Sequence, residues 1–354
     1  MLTRQDFEKI IGYGIYAPSG DNSQPWRFEA HESTGEIHLY NIPGKDNPVL
    51  NVGQRGSYIA HGALIENMLI AASHLGFKAD LQIFPKGLAD LTAIIKFSEA
   101  EPKNDQLFPY IQERTTNRRP YKNIPLTEAE KEVLTAACLS FSDCELKLIE
   151  GQENLKMTSK AMSVAEKVFL ETKELHKLLF HSVFFDPERN KKGESGLYIK
   201  TLELPLPAQL IFKIINQWPI MKFFNLFGFS RLISKINASI YAASASHGAI
   251  IAEDRDENFI NAGRAFQRVW LEASRLGLAL QPVTGVIFLA QRLEKMPDSL
   301  LSEENTELVR QAAQKIAFIF GLRGNQVAAM TFRIGRADSP SARSKRQAPK
   351  IDFK

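Results

Sequence analysis

The sequence predicts an α+β protein in which one unit of helices and strands is built twice. Two long helical segments, residues 62–77 and 263–278, align without a gap; each starts with glycine and carries Leu-Gly near its end. In both halves a shorter helix, a loop and a strand come before this long helix, and the short helices open at Leu2-Thr3 and at Leu126-Thr127. Two matches in the same order favour duplication over a chance similarity of amphipathic helices.

The predicted elements divide the chain into an N-terminal half, residues 1–105, and a C-terminal half, residues 106–354. In the first half the N-terminal helix leads through a loop to a strand at 26–29, and a strand at 79–84 follows the long helix. In the second half the spacing of Thr127 and Glu130 predicts a capping box. A strand at 145–149 then precedes the long helix, and a strand-like run ending at 286–289 follows it.

The second half also carries an insertion at about 175–242, which contains an unusually apolar and aromatic segment at 202–236. Polar and proline residues interrupt this segment, so it does not predict a membrane span, which needs ~20 apolar residues. We favour a lid or a buried helical hairpin, and a helix lying on a membrane surface is the less favoured alternative. The aromatic residues of such a lid are Trp218, Phe223, Phe224 and Phe227.

Composition narrows the functional class. The net charge of +4 over 354 residues does not by itself imply a nucleic-acid partner. Two cysteines without metal-like or redox spacing and seven scattered histidines predict no metal site and a reducing compartment. The N-terminus lacks the apolar core of a signal peptide, so we expect a cytoplasmic protein. Basic residues concentrate after position 332, in a tail typical of a solvated segment or of a phosphate contact.

The loop at residues 17–26 reads APSGDNSQPW. Pro18 and Gly20 impose a tight, irregular backbone, whereas Ser19, Asn22 and Gln24 offer hydrogen-bond donors and acceptors. Such a loop suits a planar, hydrogen-bonding ligand such as a flavin. The same residue types are also common in ordinary turns, so the loop alone leaves both interpretations open.

A second candidate segment, residues 114–121, reads RTTNRRPY and is kept extended by proline. Side chains at alternate positions of an extended chain project to the same side, which brings Arg114, Thr116 and Arg118 together. Two guanidinium groups and a hydroxyl form a cradle for a phosphate dianion. A solvated basic turn is the alternative.

Taken together, the Arg-x-Thr-x-Arg segment and the Pro-Ser-x-x-Asn-x-Gln-Pro-Trp loop resemble the FMN-dependent nitroreductase family, and more narrowly its Acg-like branch. In that branch two nitroreductase-type halves are fused in one chain. The entry to the first long helix, residues 55–63, is similar to the branch as well. The resemblance covers nearly the whole chain apart from the insertion, and it implies a nitroreductase-like fold forming a pseudo-dimer.

The resemblance also implies the residues that bind FMN. Arg114, Thr116 and Arg118 would hold the phosphate, and the loop of the other half would approach the flavin through Pro18, Ser19, Gly20, Asn22 and Gln24. Thr284 and Gly285 match the segment near flavin N5, although Thr284 departs from the acidic residue often found there. Arg333 is the preferred further phosphate contact, with Arg336 and Arg343 as alternatives.

The implied activity is transfer of hydride from NAD(P)H through FMN to a nitroaromatic, quinone or similar acceptor, with no protein acid or base named as catalytic. One alternative is an FMN-sequestering protein with a closed lid and little turnover. Another is a flavin-free, membrane-peripheral protein. Because the two motifs lie in different halves, we expect one complete FMN site per chain, in a monomer or a homodimer.

Overall fold

The computed structural model describes residues 2–296 and 300–354 and has a mixed α+β architecture. Its helices are α1 (Arg4–Gly14), α2 (Arg55–His74), α3 (Tyr110–Glu113), α4 (Glu128–Leu139), α5 (Gln152–Met162), α6 (Val164–Glu171), α7 (Lys173–His181), α8 (Pro187–Lys191), α9 (Leu206–Ile215), α10 (Trp218–Leu226), α11 (Phe229–Ala242), α12 (Asn258–Arg275), α13 (Gly285–Lys295) and α14 (Glu303–Ile319). Its strands are β1 (Trp26–His31), β2 (Glu36–Asn41), β3 (Phe77–Ile83), β4 (Leu91–Glu99), β5 (Cys144–Ile149), β6 (Val183–Phe184), β7 (Leu197–Tyr198), β8 (Ser246–Glu253), β9 (Ala279–Pro282), β10 (Gln326–Gly335) and β11 (Ile351–Phe353).

The strands form two main sheets. The first has the order β11-β1-β2-β4-β3 and the second the order β5-β8-β10-β9, while β6 and β7 pair separately. All pairs of the main sheets are antiparallel except β1 with β11, in which Phe28 lies opposite Ile351. Strand β11 pairs with β1, so the basic tail crosses from the second sheet to the first, although several of its residues, Arg343 and Lys345 among them, are exposed.

Both short helices that open the halves begin with a capping box. The Thr3 hydroxyl accepts from the Asp6 backbone N–H, and the Asp6 carboxylate accepts from the Thr3 backbone N–H. Thr127 and Glu130 make the same reciprocal pair at the start of α4, which confirms the predicted box. Two donors at each helix start are satisfied in this way.

Helices α2 and α12 pack against each other at the centre of the molecule, and two glycines allow their close approach. A Cβ added at Gly62 would lie far inside van der Waals contact of the Ile260 carbonyl and 2.8 Å from the Arg264 backbone nitrogen. A Cβ added at Gly263 would collide in the same way with the Ile59 carbonyl and lie 2.8 Å from the Ile59 Cα. The contact is therefore reciprocal between the two helices.

One predicted strand is wrong. Residues 286–289 belong to α13, and the strand that follows α12 is the shorter β9. Val286, Ile287 and Leu289 are buried at spacings that fit a helix, packed in a cluster with side chains of α5 and α14. A run of four apolar residues cannot distinguish a buried strand from a buried helix segment, which explains the error.

The insertion folds into α7–α11 and the short strands β6 and β7. Ile215 and Met221 are buried against Leu170 and Phe180, so one side of α9 and α10 is anchored to the protein. The other side is exposed, as Leu226 with 77% of its surface accessible shows. The expectation of a buried helical hairpin is therefore wrong, because these short helices bury only one stripe each.

Candidate cofactor-binding site

A cavity of about 590 Å³ lies beside the junction of α2 and α12. Its size is in the range of small-molecule and cofactor sites. Both halves of the chain contribute walls: the loop after α1 and the start of α2 from the first half, and residues 112–118, α12, the β9–α13 turn and the C-terminal tail from the second. Aromatic and aliphatic side chains lie next to polar ones, so the cavity can bind an amphipathic molecule.

The loop between α1 and β1 has an unusual backbone. Asp21, Asn22 and Gln24 all have positive φ values, between 45° and 58°. Gly20 is required by space, since a Cβ there would lie 2.8 Å from Asp46 Oδ1. Three left-handed residues other than glycine within four positions are costly and persist only where surrounding contacts enforce them.

Those contacts come from the insertion and from the tail. Gln24 Nε2 donates to the Gly193 carbonyl at 2.9 Å, and Gln24 Oε1 accepts from the Gln347 backbone N–H at 2.9 Å. Asn22 Nδ2 donates to the carbonyls of Glu194 and Lys345. Pro18, Ser19, Gly20 and Asn22 line the cavity, whereas Gln24 does not. Gln24 therefore holds the loop in place.

His61 of α2 fixes the end of the same loop. Its Nε2 lies 2.9 Å from the Pro25 carbonyl and its Nδ1 lies 2.7 Å from Thr92 Oγ1. Burial lowers the pKa of His61 to about 4, so the ring is neutral at pH 7. We assign the proton to Nε2, because a carbonyl can only accept.

Arg114 is buried in the cavity wall. Its Nη2 donates to the Tyr16 carbonyl at 2.6 Å, and its guanidinium lies over the Trp270 ring at 4.4 Å from the centroid. Nε is buried and has no hydrogen-bond partner. Burial, and then the neighbouring charges of Arg346 and Arg343, lower the pKa of Arg114 well below its usual range.

Arg343 and Arg346 come from the C-terminal tail. The Arg346 guanidinium donates to the Ala17 carbonyl through Nε at 3.2 Å and Nη2 at 3.0 Å. Burial lowers the pKa of Arg346 to about 10. The sequence predicts Arg343 only as an alternative phosphate contact, and no motif marks Arg346. The pairing of β11 with β1 and the hydrogen bonds of residues 345 and 347 to the loop bring these arginines to it.

Arg118 lines the same cavity with different neighbours. Its Nη1 donates to the Thr201 carbonyl at 3.0 Å, and Asp21 is the opposite charge beside it. Burial lowers the pKa of Arg118, and the charge of Asp21 opposes this shift. Thr116 also lines the cavity and forms a bridge with Leu280. The structure thus places the predicted segment at the cavity and adds a carboxylate to it.

The net charge of the cavity wall is positive. Its cationic side chains are Arg114, Arg118, Lys191, Arg343, Lys345 and Arg346, and its carboxylates are Asp21 and Asp46. Within residues 2–296 and 300–354, neither Arg114 nor Arg346 forms an ion pair with a carboxylate. Buried guanidinium groups without counter-ions are costly, so an anionic ligand would offset this cost.

Asp46 is the second carboxylate of the wall, and no sequence motif marked it. It is 6% exposed, and Oδ1 accepts from the Asn47 backbone N–H at 2.8 Å. Burial, and to a lesser degree the charge of Asp21, raise the pKa of Asp46 to about 7. Asp46 therefore changes its charge near neutral pH.

We expect Asp46→Asn to change the pH dependence of stability. The folded protein holds the Asp46 proton more tightly than the unfolded chain does, so this residue favours folding below about pH 4 and that contribution is lost as pH rises to about 7. As pH rises between these limits, the free energy of unfolding of wild type should fall by roughly 2–4 kcal/mol relative to that of the variant, which has no carboxyl group at this position. Urea unfolding across this pH range measures the difference, and parallel curves for the two proteins would contradict the prediction.

At the β9–α13 turn, Thr284 lines the cavity but Gly285 does not. Thr284 precedes α13 and its side chain makes no capping hydrogen bond, so the hydroxyl is free to meet a ligand. A Cβ at Gly285 would lie 2.6 Å from the Ala165 Cβ. Gly285 therefore serves the packing of α13 against α6.

Arg333 does not reach the cavity, contrary to the expected phosphate contact. It is fully buried, and its guanidinium donates to Gln281 Oε1, the Ile240 carbonyl and the Arg119 carbonyl at 2.7, 3.1 and 2.9 Å. Arg336, which follows β10 and was an alternative phosphate contact, pairs with Glu130 at 2.6 Å and also lies outside the cavity. Sequence alone cannot distinguish a buried arginine whose donors have acceptors within the protein from an arginine that binds a ligand.

Replacing Arg333 with methionine should therefore destabilise the fold. Three buried acceptors would lose their donor, and we expect the free energy of unfolding to fall by about 3–5 kcal/mol. Urea unfolding measures this loss, and a variant as stable as wild type would contradict the prediction.

The expected aromatic lid is not found at the cavity. None of the described residues of 202–236 lines it, and Trp218 packs in a cluster with Phe180 on the outer side of α6 and α7. Phe223, Phe224 and Phe227 are exposed, and the Phe223 ring contacts the rings of the other two. The insertion instead reaches the cavity through Lys191, Leu197 and Thr201.

One cluster with metal-ligand types lies elsewhere, on β1 and β2. Ligand atoms of Glu29, His31 and His38 all lie within 4.8 Å of one another, which scattered sequence positions did not predict. However, Glu29 Oε1 accepts from Arg27 and Glu29 Oε2 accepts from Tyr40. Both carboxylate oxygens of Glu29 are therefore already hydrogen-bonded within the protein.

No protein-family model matches the chain. Among curated proteins, an uncharacterized protein of Mycobacterium tuberculosis is 23% identical over 353 residues, covering 96% of this chain and 47% of that protein. The chain thus spans about half the length of the curated relative it matches.

Similar solved structures include an FMN-dependent nitroreductase from Clostridium difficile, with 13% identity, a TM-score of 0.35 and coverage of 67% of this chain and 90% of that chain. A nitroreductase with bound FMN from Bacteroides fragilis has 10% identity, a TM-score of 0.36 and coverage of 70% and 96%. The NADPH:FMN oxidoreductase from Vibrio harveyi, complexed with NAD+, has 10% identity, a TM-score of 0.35 and coverage of 68% and 73%.

Proposed function

We propose that this protein binds one FMN per chain in the cavity beside α2 and α12 and acts as an oxidoreductase. The observation that carries the proposal is the buried Arg114 guanidinium, whose Nε lacks a partner and which has no carboxylate counter-ion among the described residues. A phosphate dianion can accept from this group and neutralise the repulsion from Arg343 and Arg346. The flavin identity of the ligand comes from the resemblance of the two sequence motifs to FMN-dependent nitroreductases.

The remaining walls fit the rest of an FMN molecule. Phe266, Trp270 and Phe288 supply apolar surface, and Ser19 and Asn22 supply polar groups on the loop. A flavin ring is apolar on its faces and has hydrogen-bonding groups along its edges, so this mixture suits it. Arg118 and Thr116 remain candidates for contacts with the phosphate or its linker.

When bound, FMN would supply hydride transfer between NAD(P)H and an acceptor such as a nitroaromatic or a quinone. The chain's own residues would bind and orient the cofactor, and Thr284 would contact the ligand where the β9–α13 turn meets the cavity. The alternative of FMN sequestration depended on a closed aromatic lid. Since residues 202–236 do not line the cavity, turnover is the better-supported proposal.

We further propose that residues 1–105 and 106–354 are diverged copies of one nitroreductase-type unit, as in the Acg-like branch, with the insertion at 175–242 added to the second. The reciprocal clash expected at Gly62 and Gly263 supports this, because a dimer of identical units would have such a symmetric contact. Residues of both halves line the same cavity, so a single chain provides the complete site whether the protein is a monomer or a homodimer.

The test is flavin stoichiometry followed by reduction. Heat-released flavin should amount to one FMN per chain, and anaerobic NADPH should bleach the bound flavin within the time of mixing. Half a flavin or two flavins per chain would contradict the single site. Stoichiometric FMN that stays oxidised with both NADH and NADPH would favour sequestration, and protein that binds no FMN would refute the proposal altogether.

A further inference from the structure

Helices α9, α10 and α11 present an apolar surface to solvent. Among the described residues, eleven of the seventeen exposed large hydrophobic side chains lie between positions 206 and 236. They are Leu206, Leu210, Ile211, Ile214, Ile220, Phe223, Phe224, Leu226, Phe227, Leu232 and Ile236, which we call the helical apolar surface. Soluble monomers rarely expose apolar side chains at this density, so the surface indicates a partner.

The outward orientation of these residues is fixed by contacts on the inner side. Met221 is fully buried, and Asn225 Nδ2 donates to the Leu170 carbonyl at 2.7 Å. His176 Nε2 lies 2.8 Å from the Ile215 carbonyl. With α10 held in this way, residues such as Phe223 and Phe227, whose ring centroids are 5.2 Å apart, face away from the protein.

The surface extends over consecutive helices, because α10 contacts both α9 and α11. Within α9, Leu206, Leu210 and Ile214 follow the four-residue spacing of one helical face. Leu232 and Ile236 repeat that spacing in α11. The exposed side chains therefore form stripes on adjacent helices.

The charged side chains within the segment that carries this surface are all cationic. Residues 204–242 contain Lys213, Lys222, Arg231 and Lys235 and no aspartate or glutamate. Among the described residues, the three lysines form no ion pair with a carboxylate, and Arg231 has only an exposed contact with Glu304 at 3.4 Å. Within residues 204–242 apolar and cationic side chains therefore occur together, and the acidic contacts come from the neighbouring helices, through Glu304 and Glu171.

We infer that the helical apolar surface docks on an anionic lipid bilayer. Its aromatic and aliphatic side chains would enter the boundary between headgroups and acyl chains, and its lysines would meet the lipid phosphates. Among the helices that the structure describes, none has the length and apolar character of a membrane span. The inference goes beyond the proposed oxidoreductase function and does not depend on it.

A second copy of the chain is a poorer occupant. In a symmetric dimer the same patch would face itself, so the lysines of one copy would lie against those of the other. Like charges brought together in this way oppose association. An anionic bilayer matches both the apolar and the cationic character of the surface.

The experiment is flotation of the purified protein with vesicles of equal parts phosphatidylcholine and phosphatidylglycerol, and with phosphatidylcholine alone. We expect binding to the anionic vesicles that weakens with added salt. The double variant Leu226→Asn/Phe227→Asn should bind them at least about tenfold more weakly, because two apolar side chains no longer enter the bilayer.

A matched control uses apolar residues of equal exposure outside the surface. Leu139 and Phe318 are both 76% exposed, against 77% and 75% for Leu226 and Phe227. Leu139→Asn/Phe318→Asn should bind vesicles like wild type, and thermal unfolding should show that both double variants remain folded. Failure of wild type to float, or equal losses in the two variants, would overturn the inference. A second result would also overturn it. In that case wild type forms a dimer in sedimentation equilibrium and does not bind vesicles, and Leu226→Asn/Phe227→Asn dissociates the dimer while the control variant does not.

Discussion

Arg114→Gln is expected to weaken FMN binding by ten- to hundredfold and to leave riboflavin binding almost unchanged. Hydrogen bonds to charged groups contribute about 1.5–3 kcal/mol each, and 1.4 kcal/mol corresponds to tenfold in affinity. Riboflavin has the same ring and side chain as FMN but no phosphate, so it does not use the Arg114 charge. Fluorescence titration of the flavin-free protein with both compounds measures the two affinities.

Two further variants make this result specific. Arg343→Gln should weaken FMN binding by about tenfold, because the Arg343 side chain lines the cavity, is exposed and makes no internal hydrogen bond or ion pair with the described residues. Arg336→Gln removes a charge of the same tail outside the cavity, where Arg336 pairs with Glu130. It should leave both affinities unchanged. Equal loss of FMN and riboflavin in the Arg114 variant would mean that Arg114 shapes the cavity and does not bind phosphate.

The features of this molecule that sequence predicts well are those encoded by neighbouring residues. Capping boxes span four residues, so Thr127 and Glu130 suffice to predict the start of α4. The turn residues of the 17–26 loop predict an irregular backbone, and the structure has one. The chemistry of Arg114 and Arg118 predicts an anion site, and both side chains line the same cavity.

Features that depend on distant contacts were missed or misassigned. Arg346 reaches Ala17 because distant contacts hold the tail against the loop: Ile351 pairs with Phe28, and the Gln347 backbone N–H donates to Gln24 Oε1. Arg333 carries the same charge as Arg346, and the donors of both guanidinium groups have oxygen acceptors, but only Arg346 lines the cavity. Nothing in the local sequence distinguishes these two arginines, because the difference lies in where the fold places each.

The apolar insertion shows a related limit. Its composition indicates helices that need a partner surface, and a buried hairpin or a lid is the usual solution within one chain. Composition does not specify how much of each helix finds that surface. In the structure Ile215 and Met221 are buried, while Phe227 remains 75% exposed.

The second large effect is expected at the α2–α12 contact, where Gly62→Ala should lower the free energy of unfolding by about 3 kcal/mol or more. The new Cβ would overlap the Ile260 carbonyl and lie 2.8 Å from the Arg264 backbone nitrogen. Both are backbone atoms of a buried helix, so neither can move aside as a flexible side chain would. Gly263→Ala should cost a similar amount, because its Cβ meets the Ile59 carbonyl in the same manner.

Gly12→Ala in α1 is the matched control, since it also places alanine in a helix and its Cβ would meet no atom within 4 Å. Alanine favours a helix over glycine by about 0.5–1 kcal/mol, so this variant should be slightly more stable than wild type. Urea unfolding of the three variants gives all the free energies. A loss below about 1 kcal/mol at Gly62 would mean that the helices can separate at little cost. A large loss at only one of the two positions would argue against the reciprocal contact on which the duplication proposal relies.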